Sequence, residues 1–303
     1  MNKNKLGDLN EMHESKDLLE KYNEYVINQL SSLKPINIGC VVSKSYILDF
    51  LIFYFSIVKS WSFYPYLVHA FTFDKETHDE IKSYKLKNVE AHNFTQEAPL
   101  TWSSFAAKKI WLIENSGIER CIISDIDALF LSEIPELDLF LNNHDMVFIG
   151  APHSEWIIQT SLWSYKRNRR TIKFARKWIK ESQNRPHSDA SGLPFALYKN
   201  KNSRMKIKAL VMRKVRDKNH HKSPYDVQAN IRPFELLHDE LGYKESQMGG
   251  AKVIHFGGLR PVKKETLDER MNRMEQLFPE SKPIFHLYRE LASKAFKIME
   301  CPF

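Results

Sequence analysis

The segment Cys121–Leu131, CIISDIDALFL, carries the strongest structural signal in this chain. Its first four residues have the length and apolar character of a buried strand. Asp125 and Asp127 follow at the carboxyl end of that strand, and Ile126 between them points to the opposite side of the extended chain. Two carboxylates on one side can share one hard divalent cation, which can in turn bridge a diphosphate. The alternative is a loop with two solvated aspartates.

The same segment belongs to a regular alternation of strand-length and helix-length patterns. Such alternation predicts βαβ units and an α/β fold with a mainly parallel sheet flanked by helices, which binds ligands at the carboxyl ends of its strands. The predicted strands are Ile36–Val42, Tyr66–Phe73, Asn88–His92, Arg120–Ser124 and Asp145–Gly150. The predicted helices between them are Tyr46–Ser60, Lys75–Tyr84, Ser103–Asn115 and Ile134–Asn142.

The two ends of the chain have helical rather than alternating patterns. Helical spacing of apolar residues predicts an N-terminal helix over residues 9–32. Beyond Gly150 the pattern indicates a basic, tryptophan-rich helix, followed by a polar stretch and a last strand over Lys252–Phe256. Thr266–Met299 is predicted to form C-terminal helices that break at two prolines. The tryptophans assigned to the basic helix are Trp156, Trp163 and Trp178, and the two prolines are Pro279 and Pro283.

Composition excludes several classes of protein. The 303 residues are 43% apolar and 27% charged, with a mean hydropathy of −0.45, which is typical of a soluble chain with a substantial core. No run approaches the roughly 18 apolar residues of a membrane span, and the N-terminus has no apolar signal region. Three scattered cysteines do not make a disulfide framework or a zinc motif. We therefore expect a cytoplasmic protein.

The net charge of +8 is local rather than general. The first basic segment, Lys166–Lys180, has eight Lys or Arg and no acidic residue. The second basic segment, Lys199–Lys222, has ten Lys or Arg and one acidic residue. The remainder holds 27 basic and 36 acidic residues. The two segments predict an anion-facing surface, such as a peripheral contact with an anionic membrane at its inner face. The alternative is a solvated lysine-rich surface.

A second motif, VIHFGGLRP, spans residues 253–261. Four of the ten glycines fall between Gly249 and Gly258, and such a cluster lets the backbone approach a ligand closely. His255 ends the predicted last strand, where its imidazole could complete a metal shell, and Arg260 could bind phosphate. Alone, a histidine that ends a strand is more often structural than a ligand.

Three stretches together resemble glycosyltransferase family 8, the retaining nucleotide-sugar enzymes of the GT-A fold. VVSKSYILDFLIFYFSIVKS (41–60) is similar to the family's first strand, nucleotide-binding turn and following helix. FAAKKIWLIENSGIERCIISDID (105–127) resembles its basic-residue helix and D-x-D strand, with Lys109 sixteen residues before Asp125. HFGGLRP is similar to its H-x-x-G-x-x-K-P motif, one residue shorter and with arginine in place of lysine. The resemblance covers residues 36–150 and 250–262.

The resemblance implies a site for Mn²⁺ (or Mg²⁺) and a nucleotide-sugar donor, which we expect to be UDP-linked. It assigns Asp125, Asp127 and His255 to the metal, and Asp189 and Lys109 to catalysis, although Asp189 could equally cap a turn. The residues that it implies for binding the donor are Val42, Ser43, Tyr46, Lys109, Asp125, Ile126, Asp127, Gly258 and Arg260. Tyr46 would stack on the base, or else pack on the core. The acceptor would be a glycan or glycolipid.

The resulting expectation is a GT-A-like, Rossmann-like catalytic domain over residues 35–262. Within it, residues 35–150 form the nucleotide-binding half, 151–249 the acceptor-side region and 250–262 the metal and diphosphate loop. An N-terminal helical arm (1–34) and a C-terminal helical tail (263–303) flank the domain.

Three other functions remain open at this point. A haloacid-dehalogenase-type phosphatase also has D-x-D after a strand, but its pattern lies near the start of the fold and continues differently from Leu129. A nucleic-acid-binding protein would use the basic segments, but no recognition motif is present and no nucleic-acid partner is expected. A non-catalytic GT-A-like protein is the third alternative.

Overall fold

The computed structural model describes residues 33–95, 105–150, 158–183, 188–200, 204–211, 231–234, 253–256, 266–277 and 282–300. The predicted N-terminal helix over residues 9–32 lies outside these ranges. Among the described helices, none combines the length and apolarity needed to cross a membrane.

A seven-stranded sheet organises the described part of the chain, with strand order β3-β2-β1-β4-β7-β6-β8. All of its strands run in one direction except β7, which is antiparallel to both neighbours. The sheet is therefore mainly parallel, as the sequence predicts. Its strands are β1 (Ile36–Val42), β2 (Tyr66–Thr72), β3 (Val89–Asn93), β4 (Arg120–Ser124), β6 (Met146–Gly150), β7 (Ile158–Lys166) and β8 (Ile207–Val211).

A second, three-stranded antiparallel sheet begins immediately after the D-x-D pair. It has the order β5-β10-β9, with β5 at Ala128–Phe130, β9 at Ile231–Phe234 and β10 at Val253–Phe256. Only the three residues 125–127 separate β4 in the large sheet from β5 in the small one. The two aspartates therefore lie where the chain passes from one sheet to the other.

Helices cover the sheet. They are α1 (Ile47–Ser60), α2 (Lys75–Ser83), α3 (Phe105–Asn115), the single turn α4 (Glu136–Leu139), α5 (Arg169–Ser182), α6 (Ser188–Lys199), α7 (Leu267–Leu277) and α8 (Lys282–Glu300). Helix α5 starts sharply because the Asn168 side chain accepts the backbone N–H groups of Arg170 and Thr171, and the Thr171 hydroxyl accepts that of Asn168.

Each face of the large sheet carries its own hydrophobic core. Alternate residues of β1, such as Ile38 and Cys40, pack with α1 and with Leu291 of α8 on one face. Val41 of β1 belongs to the cluster on the other face, which includes Trp163 and Trp178. Burial on both faces explains why the central strands are nearly continuous apolar runs. Helix α8 thus contributes side chains to the core.

Most predicted elements of residues 36–150 are present within two residues of their expected bounds, and two predictions further along were wrong. Trp163 lies in strand β7, not in a basic helix, which begins only at Arg169. Pro283 does not break a helix, because it is the second residue of α8, in the first turn where a missing N–H costs nothing. Trp156 and Pro279 lie outside the described residues.

Candidate functional site

The carboxyl ends of β1 and β4 lie side by side and create the edge at which the site is built. The two strands pair in parallel with Gly39 opposite Ile123, so continuing that register places Val41 level with Asp125. After Val42 the chain passes through Ser43 into a 3₁₀ turn over Lys44–Tyr46, which the Tyr46 N–H closes by donating to the Ser43 carbonyl at 2.9 Å. The predicted nucleotide turn and the D-x-D pair therefore share one edge of the sheet.

The backbone register of the small sheet brings His255 to the same place. In the antiparallel pairing of β10 with β5, His255 is directly opposite Ala128, the residue that follows Asp127. Directly opposite residues in such a ladder have Cα atoms about 4.5–5.5 Å apart. Asp127 and His255 are 128 positions apart along the chain, and the family resemblance assigns both to one metal shell; the pairing of β10 with β5 brings them together at the level of the backbone.

A buried ammonium group holds the first aspartate. Lys109 of α3 is 5% exposed, and its Nζ donates to Asp125 Oδ1 at 2.5 Å and to the Thr160 carbonyl of β7 at 3.0 Å. The Asp125 side chain is 30% exposed, so the carboxylate is reached from solvent on one side and from the lysine on the other. The family resemblance assigns Lys109 to catalysis and donor binding, which stays a prediction. In the structure its ammonium contacts the Asp125 carboxylate.

The main chain around the D-x-D pair is also constrained. The Asp125 N–H donates to the Ser161 carbonyl at 2.7 Å, and the Ser124 hydroxyl donates to the Asp125 carbonyl at 3.0 Å. Ile126, between the two aspartates, is partly buried against the hydrophobic core. These contacts fix the main chain at Asp125 and Ile126, at the junction that carries both carboxylates, which is an arrangement suited to binding a hard cation.

The predicted nucleotide turn is partly exposed. Val42 is buried, whereas Ser43 and Tyr46 are half-buried, so both are accessible at the edge of the sheet. Lys44 of the same turn is exposed and forms ion pairs with Glu76, at 3.0 Å, and with Glu80, both on α2. These pairs tie the turn to the neighbouring helix.

The remaining predicted residues are placed only in part. Asp189 is the second residue of α6, so it lies in the first turn of a helix, and its assignment to catalysis stays a prediction. Gly258 and Arg260 fall outside the described residues. The structure therefore places Ser43 and Tyr46 at the same edge of the sheet as the D-x-D residues, joins Lys109 to Asp125, and puts His255 opposite Ala128 by backbone register.

One cluster of side chains that could hold a metal ion was not predicted from the sequence. His69 of β2 lies beside Glu90 and His92 of β3, with their ligand atoms within 4.8 Å of one another. Burial lowers the pKa of His69 to about 4, with a further lowering from the neighbouring His92. Burial also lowers the pKa of His92, although the charge of Glu90 opposes this effect. The signal that was available is the E-x-H spacing of β3, which puts Glu90 and His92 on one face.

The fold has counterparts among solved structures. The galactosyltransferase LgtC, in complex with donor and acceptor sugar analogs, is 13% identical, with a TM-score of 0.52 over 86% of this chain and 96% of that one. The glycosyltransferase GlyE of Streptococcus pneumoniae TIGR4 is 14% identical over 58% of this chain, with a TM-score of 0.44, and the chain spans about 45% of its length. No protein-family model and no curated protein matches the sequence. The chain therefore has the GT-A-like, Rossmann-like fold that LgtC also has.

Proposed function

We propose that this chain is a metal-dependent, retaining glycosyltransferase that moves a hexose from a UDP-sugar to a glycan or glycolipid acceptor. The observation that carries this proposal is the position of Asp125 and Asp127 at the carboxyl end of β4, beside the turn that ends in Tyr46. Ligands of open α/β sheets bind at this edge. The fold shared with a galactosyltransferase supports the same assignment.

The donor set of the site fits a hard divalent cation. Asp125 and Asp127 offer carboxylate oxygens, and His255 lies next to them in the backbone register of β10 and β5. These three residues would hold Mn²⁺ or Mg²⁺, which when bound acts as a Lewis acid for the departing diphosphate. Lys109 would orient Asp125 and add positive charge behind it.

The other residues would bind the two ends of the donor. Tyr46, with Val42 and Ser43, would hold the base at the end of β1, while Gly258 and Arg260 would contact the diphosphate. Asp189 would face the transferred sugar. In a front-face reaction the leaving phosphate oxygen accepts the proton of the attacking acceptor hydroxyl, so retention needs no dedicated base.

The proposal is tested by a hydrolysis screen of nucleotide sugars with Mn²⁺ and with EDTA. We expect release of one nucleotide diphosphate in the metal arm alone. Asp127→Asn should lower turnover by several orders of magnitude, because an amide is a poor ligand for a hard cation. Asp79→Asn is the matched control, since Asp79 is an exposed aspartate of α2 that pairs with a neighbouring histidine. Wild-type turnover by Asp127→Asn at limiting Mn²⁺ would show that the metal assignment is wrong.

The role of His255 has its own test. His255→Ala should weaken Mn²⁺ affinity by about 10–100-fold, by analogy with the effect of perturbing a ligand shell. The protein should remain folded, which circular dichroism can verify. An unchanged Mn²⁺ affinity would remove His255 from the proposed shell and leave the two aspartates as its protein ligands.

The basic segments suggest how the enzyme would meet a lipid-linked acceptor. In the first basic segment, Arg170 is paired with the buried Asp145, and Arg176 with Glu114, so part of its charge stabilises the fold. We therefore assign salt-sensitive binding to anionic membranes to the second basic segment, where attraction is about 1 kcal/mol per basic residue. Quadruple replacement by Gln should abolish sedimentation with anionic vesicles and keep donor hydrolysis, and equal sedimentation would refute the assignment. The four residues are Lys206, Lys208, Arg213 and Lys214.

A further inference from the structure

The cluster of His69, Glu90 and His92 is separate from the D-x-D site. The parallel register pairs His69 with Glu90 across β2 and β3, and pairs His69 with Gly39, which is itself opposite Ile123 of β4. Strands are about 4.8 Å apart, so two strand spacings, roughly 10 Å, separate the cluster from β4. One divalent ion cannot satisfy both groups of ligands.

The hydrogen bonds of Asn37 determine which nitrogen of His69 carries a lone pair. Asn37 Nδ2 donates to the Arg120 carbonyl at 2.9 Å, which orients the amide so that its Oδ1 lies 3.0 Å from His69 Nε2. An amide oxygen only accepts, so His69 Nε2 must carry the proton and Nδ1 must carry the lone pair. That lone pair faces His92 and Glu90.

The three ligand atoms converge on one point. His69 Nδ1 lies 2.9 Å from His92 Nε2 and 3.6 Å from Glu90 Oε2, and the last two atoms are 3.8 Å apart. Ligands of tetrahedral zinc, at bonds of 2.0–2.1 Å, are separated by about 3.3 Å. The two distances to Glu90 Oε2 are slightly longer than this value, and the distance between the two imidazole nitrogens is shorter. Shifts of a few tenths of an ångström in the side chains would therefore fit the ion.

The surroundings of the cluster favour a preorganised metal site. A ligating histidine commonly donates its second ring N–H to a carbonyl oxygen, which is the role of Asn37 toward His69. Aromatic neighbours orient both imidazoles: His69 stacks on Phe71 with an interplanar angle of 13°, and His92 stacks on Phe94 at 12°. Glu90 is 55% exposed and His92 is 26% exposed, so an ion can enter from solvent.

We propose that His69 Nδ1, His92 Nε2 and Glu90 Oε2 form a Zn²⁺ site that joins edge strand β3 to β2, with water as the fourth ligand. Two imidazoles and one carboxylate are a donor set that suits zinc better than Mg²⁺ or Ca²⁺, which take oxygen ligands. His92 would present Nε2 to the ion and carry its ring proton on Nδ1. The site requires neither the D-x-D pair nor the proposed transferase activity.

The experiment titrates ZnCl₂ into the full chain after EDTA treatment and removal of the chelator. The Asp125→Asn, Asp127→Asn double variant serves as background, so that zinc at the D-x-D site cannot contribute. We expect one equivalent of zinc with micromolar or tighter affinity. Glu90→Gln and His92→Ala should each raise the Kd at least about tenfold. His144→Ala is the matched control, because the His144 Nδ1–H donates to the Phe140 carbonyl at 3.0 Å and the residue lies outside the cluster.

Two further measurements keep the result interpretable. X-ray absorption of the zinc-loaded double variant should show nitrogen and oxygen ligands that include two imidazoles. Far-UV circular dichroism checks that His92→Ala is folded. If His92→Ala is unfolded, Glu90→Gln still tests the site, because glutamine has nearly the same shape as glutamate. An absence of zinc binding in the double-variant background, or an unchanged Kd in both cluster variants, would overturn the proposal and leave an ordinary hydrogen bond between His69 and His92.

Discussion

Replacing Lys109 by methionine should destabilise the fold and weaken the candidate metal site together. Methionine keeps the length and apolar stem of the side chain but removes the ammonium group that contacts Asp125 and Thr160. The change therefore leaves the core packing of α3 in place. What it removes is the electrostatic support behind the D-x-D pair.

The magnitude follows from the two lost hydrogen bonds. The Thr160 carbonyl belongs to a residue that is 6% exposed, and a buried acceptor that loses its partner costs about 1–3 kcal/mol. A hydrogen bond to a charged group contributes about 1.5–3 kcal/mol, but the 30% exposure of Asp125 lets water replace part of it. We expect a loss of roughly 2–4 kcal/mol, which lowers the Tm of a 303-residue chain by about 3–6 °C.

The assay is a double-mutant cycle on urea unfolding, with Lys109→Met, Asp125→Asn and the double variant. The matched control is Lys108→Met, since Lys108 is the adjacent residue and its Nζ lies 4.6 Å from the Phe73 ring centroid. The control should cost about 0.5–1 kcal/mol, as expected for a cation–π contact. The Lys109 cycle should give a coupling energy of about 1–3 kcal/mol.

A functional arm separates positioning from stability. If Lys109 orients Asp125, Lys109→Met should bind Mn²⁺ more weakly at temperatures where the variant is fully folded. The reasoning fails if the two single changes add within about 0.5 kcal/mol, because the pair would then contribute nothing beyond its separate members. It also fails if Mn²⁺ affinity is unchanged in the folded variant.

Three further predictions test other parts of the structure. Tyr46→Ala should weaken the binding free energy of UDP by about 1–3 kcal/mol, whereas Tyr46→Phe should change it little. Titration of UDP into both variants measures this, and an unchanged affinity in Tyr46→Ala would show that Tyr46 only packs on the core. Burial raises the pKa of Asp145, but hydrogen bonds from Arg170, the Lys206 N–H and Asn168 outweigh it and lower the pKa overall. Wild type should therefore lose unfolding free energy as the pH falls below about 4, and Asp145→Asn should lose less of it; parallel curves would contradict this. Gly39→Ala should cost about 1–3 kcal/mol in urea unfolding, because a Cβ there would lie 2.6 Å from the Phe71 ring, and a neutral effect would show that the core yields.

The first half of the fold could be predicted because its signals are local. Except for β3, each parallel strand between Ile36 and Gly150 is a short, mainly apolar run, and the intervening helices have their own periodicity. The D-x-D pair could be located for the same reason, since an apolar strand leads directly into two acidic residues. The shared architecture with LgtC agrees with this part of the prediction.

Strand β7 was missed because its pattern resembles a helix. Trp163, Phe174 and Trp178 are 11 and 4 residues apart, which is close to three turns and one turn of a helix. In the structure β7 is buried on both faces, so Leu162 and Trp163 enter opposite cores and no polar alternation marks the strand. Asn168 is the available signal, since it caps the helix that actually begins at Arg169.

Contacts between distant residues could not be predicted from local pattern. The pairing of Lys109 with Asp125 depends on how α3 packs against β4 and β7, and His69 meets His92 only through the register of β2 with β3. The sequence suggests residue types that can do chemistry, but tertiary packing decides which of them touch. The contact between Lys109 and Asp125 could therefore be seen only in the structure.

The junction between the two sheets explains why so short a motif can be positioned so firmly. Asp125 is held from the large sheet through its N–H to Ser161, and Asp127 is followed directly by β5 of the small sheet, which pairs with β10. Ile126 between them packs into the core, so both carboxylates are anchored by burial of the residue that separates them. The two aspartates thus lie in a three-residue connection whose ends are fixed by β4 and β5, and the pairing of β5 with β10 places His255 beside that connection.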